Sequence, residues 1–147
     1  MNHQVTVMDV ATRPTAVVAA TTTWQEFPTL WKELLDEVWT CLRAGGIHRG
    51  CRNIMLYRDD VPHVEVGVEL NQPCPLTGRV VASSLPAGQA AMTLHRGPYA
   101  GLASAHQAVH DWCTAHGRTL AGPRWEIYGP HHDDPAEVRT EVYYLLS

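Results

Sequence analysis

Two stretches of this chain run through the same order of elements, and that duplication restricts the fold more than any single motif does. Residues 4–72 read as strands over Val5–Val10 and Thr15–Thr22, a helix from Pro28 to Arg43, and two strands, NIMLY at 53–57 and HVEVGVEL at 63–70. Residues 76–147 read as strands over Gly78–Ser84 and Gln89–His95, a helix from Tyr99 to His116, then RWEIY at 124–128 and RTEVYYLL at 139–146. Trp39 and Trp112, Tyr57 and Tyr128, and Glu65 and Glu141 fall at corresponding places, with small loop insertions taking up the drift. Two strand-helix-strand-strand units of this size predict one α+β domain over residues 1–147. Its architecture is an antiparallel sheet with both helices on one face and a central ligand cleft.

The helices rest on periodicity. Phe27, Leu30, Trp31, Leu34, Leu35, Val38 and Leu42 recur at three- and four-residue steps, as do Leu102, Ala105, Val109, Trp112 and Cys113. Pro28 and Pro98 sit where a first turn tolerates proline, while Gly45-Gly46 and Gly117 supply stops. Alternation then orients the strands. Val64, Val66, Val68 and Leu70 are expected to face the helices, with Glu65, Gly67 and Glu69 opposite. In the second half Val142, Tyr144 and Leu146 face the helices, with Glu141, Tyr143 and Leu145 turned away. Aligning NIMLY with RWEIY puts Ile54, Leu56, Trp125 and Ile127 on the helix side, and Met55, Tyr57, Glu126 and Tyr128 on the face without helices.

That alignment exposes an unusual residue. Where the first half has Met55, the second has Glu126, set between Trp125 and Ile127 in a short aromatic run. Met55, Tyr57, Tyr128, Tyr143 and Leu145 would surround it, making that face apolar enough to form a cleft. A carboxylate among aromatic rings has three uses. It can attract a cationic ligand that the ring faces also stabilise, at about 0.5–2 kcal/mol per ring. Desolvation can raise its pKa so that it acts as an acid or base. Alternatively, it is a structural acid held by a tyrosine hydroxyl.

Composition closes off other classes. The chain has 147 residues, 45% hydrophobic and 18% charged, enough for one real core but not two. No run of eighteen apolar residues occurs, so no membrane partner is expected. The start, MNHQVTVMDVATRPT, lacks the cationic and apolar regions of a signal peptide, which predicts a cytoplasmic site. A net charge of -4 with eleven Lys plus Arg argues against direct nucleic-acid binding. Cys41, Cys51, Cys74 and Cys113 are scattered without a C-x-x-C pair, so reduced thiols are expected.

No glycine-rich phosphate loop and no G-x-S-x-G elbow is present, which leaves neither a nucleotide cofactor nor a serine hydrolase. His106 and His110 have the spacing of two metal ligands on one helix, but nothing indicates a third, and they read as solvated helix residues. HHDD at 131–134, closed by Pro135, reads as a polar turn. No metal and no cofactor is expected.

HRGPY at 95–99 leading into an amphipathic helix, WEIY at 125–128, DP at 134–135 and TEVYYLL at 140–146 resemble the GyrI-like effector-binding family, which also forms the ligand-binding half of several multidrug-responsive regulators. The match covers the second half well and the first half in pattern. The resemblance implies a pseudo-twofold, SOUL-like fold with a central cleft, and makes Glu126 the buried acid that meets cationic or polar aromatic ligands. It implies binding of a flat hydrophobic or aromatic compound, as in drug or toxin resistance. Glu126, Tyr128, Trp24, Met55, Tyr57, Tyr99, Tyr143 and Leu145 are the expected ligand-binding residues.

Two further roles come with the family. One is a hydrolase that opens the cyclopropane of DNA-alkylating natural products, with Glu126 as general base and Tyr128 or Tyr143 stabilising the developing oxyanion. The other is a protein inhibitor of DNA gyrase. With no helix-turn-helix before the domain, a DNA-binding regulator would have to be a separate partner.

Overall fold

In the computed structural model, which describes residues 3–147, both helices form where the apolar spacing puts them. The first, α1, spans Phe27–Ala44 with Pro28 in its opening turn, and α2 spans Leu102–Ala115 after a single 3-10 turn at Tyr99–Gly101. They end alike. Gly46 (φ 95) and Gly117 (φ 66) take the left-handed conformation, and the next residues, Ile47 and Arg118, donate their N–H groups back to the carbonyls of Leu42 and Cys113 at 2.9 Å. No helix among the described residues is long and apolar enough to cross a membrane.

The strands are β1 (Val5–Val10), β2 (Arg13–Thr21), β3 (Asn53–Tyr57), β4 (His63–Glu69), β5 (Val81–Leu85), β6 (Gly88–Arg96), β7 (Leu120–Tyr128) and β8 (Arg139–Leu146). β5 begins three residues later than alternation suggested and β7 four earlier. All eight join one antiparallel sheet in the order β1-β6-β8-β7-β3-β4-β2-β5. Exchanging each strand for the one at the same place in the other half leaves this order unchanged. The two halves therefore meet at the β3–β7 pair, and each lends its first strand to the other's edge.

Directly paired residues of an antiparallel ladder share a face, so the register settles which side chains meet the helices. Val64, Val66 and Val68 pack beneath α1, and Val142, Tyr144 and Leu146 beneath α2, as alternation required. For β3 and β7 the expectation is reversed. Met55 pairs with Val66 and Tyr57 with Val64, while Glu126 pairs with Val142 and Tyr128 with Thr140, so all four lie on the helix side. Ile54, Leu56, Trp125 and Ile127 occupy the other face.

The reason is that the helix-free face is buried too. Val17 of β2, Leu85 of β5 and Ala90 of β6 join Ile54, Leu56, Trp125, Ile127 and Tyr143 in a single apolar cluster. Such contacts between strands far apart in the order require the sheet to curl on itself. Both faces of β3 and β7 are thus apolar, and hydrophobicity alone does not tell them apart.

β2 and β4 approach closely at Gly67. A Cβ on Gly67 would stand 1.9 Å from the Ala16 carbonyl oxygen, a backbone atom that yields only if the strands separate. Gly67→Ala is therefore expected to destabilise the protein by about 2 kcal/mol or more. Urea unfolding followed by tryptophan fluorescence measures it, and a loss under about 0.5 kcal/mol, the range of ordinary surface substitutions, would show that the strands can part freely.

Candidate functional site

Helix α1 lies over β2 and β4, and α2 over β1, β6 and β8. Neither roofs the central pair, so a trough runs above β3 and β7 between the helices. Its floor is Met55 and Tyr57 from β3 with Arg124, Glu126 and Tyr128 from β7. Two chambers open from it, and Tyr57 and Glu126 belong to both. The larger, about 460 Å³, is walled by Phe27, Pro28, Trp31 and Leu35 of α1, by Tyr99 and Leu102 at the start of α2, and by Met55 and Tyr128. The other, about 430 Å³, is lined by Trp24, Tyr57, His106, Arg124, Glu126 and Tyr144.

Glu126 is only 4% exposed and is the hub of a hydrogen-bonded cluster. The Tyr57 and Tyr128 hydroxyls donate to Oε1 at 3.0 and 2.5 Å, and His106 Nε2 lies 2.7 Å from Oε2. A carboxylate only accepts, so Nε2 carries the proton; Nδ1, 2.6 Å from the Tyr144 hydroxyl, then accepts from it while the ring is neutral. Burial by itself would push the Glu126 carboxyl up. The His106 hydrogen bond and charge, with the two tyrosine hydroxyls, outweigh burial and hold it below its ordinary value, so it stays ionised.

The same charge acts on its donors in the opposite sense. Burial first and then the negative Glu126 drive the Tyr57 and Tyr128 hydroxyls far above the usual phenol range. Both remain neutral donors. Burial likewise pushes Tyr144 up to about 12.

Aromatic edges complete the walls. Phe27 meets Tyr57 edge-on at 5.6 Å and Tyr99 meets Tyr128 edge-on at 5.7 Å. Trp24 tilts onto Tyr57 at 5.5 Å, and its indole N–H donates to the Asp60 carbonyl at 3.1 Å. Trp24 and Tyr99, both largely exposed, form the rim.

Of the residues singled out in the sequence, Glu126, Tyr128, Met55, Tyr57, Trp24 and Tyr99 converge on the trough. Tyr143 and Leu145 do not. They lie on the far face of the sheet, where Tyr143 stacks on Trp125 at 5.3 Å and donates to Glu141 at 2.6 Å. His106 corrects the reading of a solvated helix residue, because its ring is half-buried against Glu126 and Tyr144. It sits four residues after Leu102 and three before Val109, within the apolar stripe of α2, and that position is a signal the sequence did carry. Arg124 and the α1 wall were not anticipated, because only the pairing of the two halves brings them together.

Among the described residues no three His, Cys, Asp or Glu side chains are grouped to hold a metal ion. Asp134 instead caps a 3-10 turn at Pro135–Glu137, accepting from the Ala136 N–H at 3.0 Å. The four cysteines are free thiols.

Solved structures share this fold. The C-terminal domain of EcmrR superposes with a TM-score of 0.79 at 20% identity, over 100% of this chain and 99% of that one. SAV2435 bound to tetraphenylphosphonium gives 0.68 at 14% identity, over 100% and 94%. A hydrolase encoded by lin2189 from Listeria innocua gives 0.63 at 12% identity, over 98% and 92%. At such identities the likeness speaks to the fold. No curated protein matches the sequence significantly. The model of the GyrI-like small molecule binding domain matches residues 3–146, both halves of the sheet and the trough between them, and the chain belongs to that family.

Proposed function

We propose that this protein binds largely apolar, aromatic cations in the larger chamber, with Glu126 as their counter-charge. The observation that carries the reading is an ionised carboxylate, almost wholly buried, at the floor of a chamber walled by aromatic and aliphatic side chains. No Lys or Arg lines that chamber; its one basic side chain is the exposed His131 at the rim. The rings of Trp31, Tyr57, Tyr99 and Tyr128 line it, and a ring face is worth about 0.5–2 kcal/mol to a cation. The likeness to SAV2435, seen with tetraphenylphosphonium, supports the same ligand class.

One observation favours a second reading. Oε1 of Glu126 accepts two hydrogen bonds and Oε2 accepts only one, which leaves Oε2 an open acceptor position. A water held there is oriented for attack on a strained cyclopropane carbon, Glu126 taking the proton while Tyr57 or Tyr128 turns its single O–H from Oε1 to the developing oxyanion. Tyr143, on the far face, has no part in this.

Tetraphenylphosphonium titrated against the protein, with tryptophan fluorescence as readout, tests the first reading. A unit charge about 6 Å away at an effective dielectric near 20 contributes roughly 3 kcal/mol, part of which His106 offsets. Glu126→Gln is accordingly expected to weaken binding about tenfold or more, and unchanged affinity in that variant would remove Glu126 as the counter-charge. For the second reading, a cyclopropane-bearing DNA alkylator is incubated with wild type and Glu126→Gln and followed by mass spectrometry. Repeated ring opening by the wild type alone assigns hydrolysis, and recovery of intact compound rejects it.

Both readings need Glu126 ionised in the fold. Because its folded-state pKa is depressed, the stability it contributes is complete above its ordinary value of 4.5 and is lost as pH falls through the folded value. Wild type should therefore lose stability more steeply than Glu126→Gln when urea unfolding is repeated from pH 6 to pH 3. Parallel losses would mean that Glu126 is not held ionised by its partners.

A further inference from the structure

The second chamber differs in chemistry from the first, and a proposal for it rests on the trough being a ligand site. Arg124 is the feature to explain. Its side chain is only 16% exposed, yet among the described residues its counter-ion is Asp60, 2.9 Å away with a side chain 88% exposed. The guanidinium is held against aromatic rings, 5.3 Å from the Trp24 centroid and 5.8 Å from that of Tyr57. Glu126, which also lines this chamber, forms no ion pair with it and accepts instead from Tyr57, Tyr128 and His106. A guanidinium carries five N–H donors, and here one carboxylate out in water meets them.

Such an arrangement favours exchange. A pair with a solvent-exposed partner contributes about 0–1 kcal/mol, so Asp60 gives way at little cost. An incoming carboxylate that binds the guanidinium through two parallel N–H···O bonds gains more, since charge-assisted bidentate contacts are roughly twice as strong as neutral ones. The indole of Trp24 forms one wall and the Tyr144 hydroxyl another, within about 430 Å³. That space is of the size ligand pockets have.

The geometry points to an anion subsite: the chamber takes the carboxylate of a planar aromatic acid on Arg124 in place of Asp60, with the acid's ring stacked on Trp24. A ligand long enough to pass Glu126 would then present its cationic part to one chamber and its acidic part to the other.

Isothermal titration calorimetry with 1-naphthoate decides it, on the full chain as wild type, Asp60→Asn, Arg124→Lys and Arg124→Gln, with 1-naphthylmethanol as the uncharged control. Asp60→Asn should bind naphthoate several-fold tighter than wild type. Arg124→Lys, which loses the bidentate fork, should bind roughly tenfold weaker, the loss of one hydrogen bond to a charged group, and Arg124→Gln should show no binding. Should Arg124→Gln fail to fold by circular dichroism, the Asp60→Asn and Arg124→Lys comparisons decide alone. Absence of binding in both wild type and Asp60→Asn, equal affinity for the uncharged control, or weaker binding in Asp60→Asn overturns the proposal. Tetraphenylphosphonium titrated into wild type and Glu126→Gln in parallel keeps the two readings apart: phosphonium failing while naphthoate binds through Arg124 sinks the cation site alone.

Discussion

The pairing of β3 with β7 is the contact on which the rest of the molecule depends. It joins the two halves, sets Met55 directly across from Glu126, and is the strand pair that neither helix covers. With α1 over β2 and β4 and α2 over β1, β6 and β8, a duplicated sheet with one helix per half leaves its middle pair between the helices. Apolar surface there is unfavourable against water, and the helix side chains that wall the trough bury Met55, Tyr57 and Glu126, while Arg124 and Tyr128 stay partly open. The trough is thus a consequence of how the halves meet.

The other face carries the stability that this arrangement gives up. Trp125, Ile127, Ile54 and Leu56 are all under 3% exposed without a helix above them, because the curled sheet packs them against Val17, Leu85 and Ala90. Charged side chains close that side at one end: Glu69 pairs with Arg13 and Arg52, and Arg52 reaches Glu141 at 2.8 Å. Glu65 and Glu69, on the face opposite the helices as alternation requires, are both drawn into such contacts, with Glu65 held by Arg58 and by the Ser83 hydroxyl at 2.6 Å. The rigid layer below leaves the trough side free to keep polar groups in unfavourable surroundings.

What could be read in the sequence follows from which physical signal was one-sided. Helix periodicity in α1 and α2 has a single interpretation, and so does the alternation of β4, where valines alternate with glutamates and a glycine. In NIMLY and RWEIY apolar residues fall on both parities, and reading the most hydrophobic parity as the helix side turned the strands over. Register would have corrected it, since Met55 opposite Val66 and Glu126 opposite Val142 admit only one facing, but register is a long-range fact that a single strand does not carry. Glu126, Tyr57 and Tyr128 were found despite the inversion, because they stay together whichever way the strands turn. Tyr143 and Leu145 face away from the helices as alternation requires, and only the inversion of β3 and β7 set them beside Glu126; a histidine such as His106 in an apolar stripe looks the same whether it meets water or a carboxylate.

The duplication also explains why one acid, rather than two, sits at the centre. Tyr57 and Tyr128 are equivalent residues, and each lies over the side chain two positions earlier in its own strand: Tyr128 on Glu126 at 2.5 Å, Tyr57 on the Met55 sulfur at 3.6 Å. Tyr57 reaches across the axis as well, giving Glu126 a hydroxyl from each half. Were Met55 also a carboxylate, two like charges would face each other across one rung of the ladder, and one would be driven to take up a proton. A single carboxylate instead collects both hydroxyls and the α2 imidazole, which is enough to keep it ionised against the cost of burial. Breaking the symmetry at this one pair gives the trough its polarity: apolar and acidic toward α1, basic toward Arg124, with the same carboxylate between.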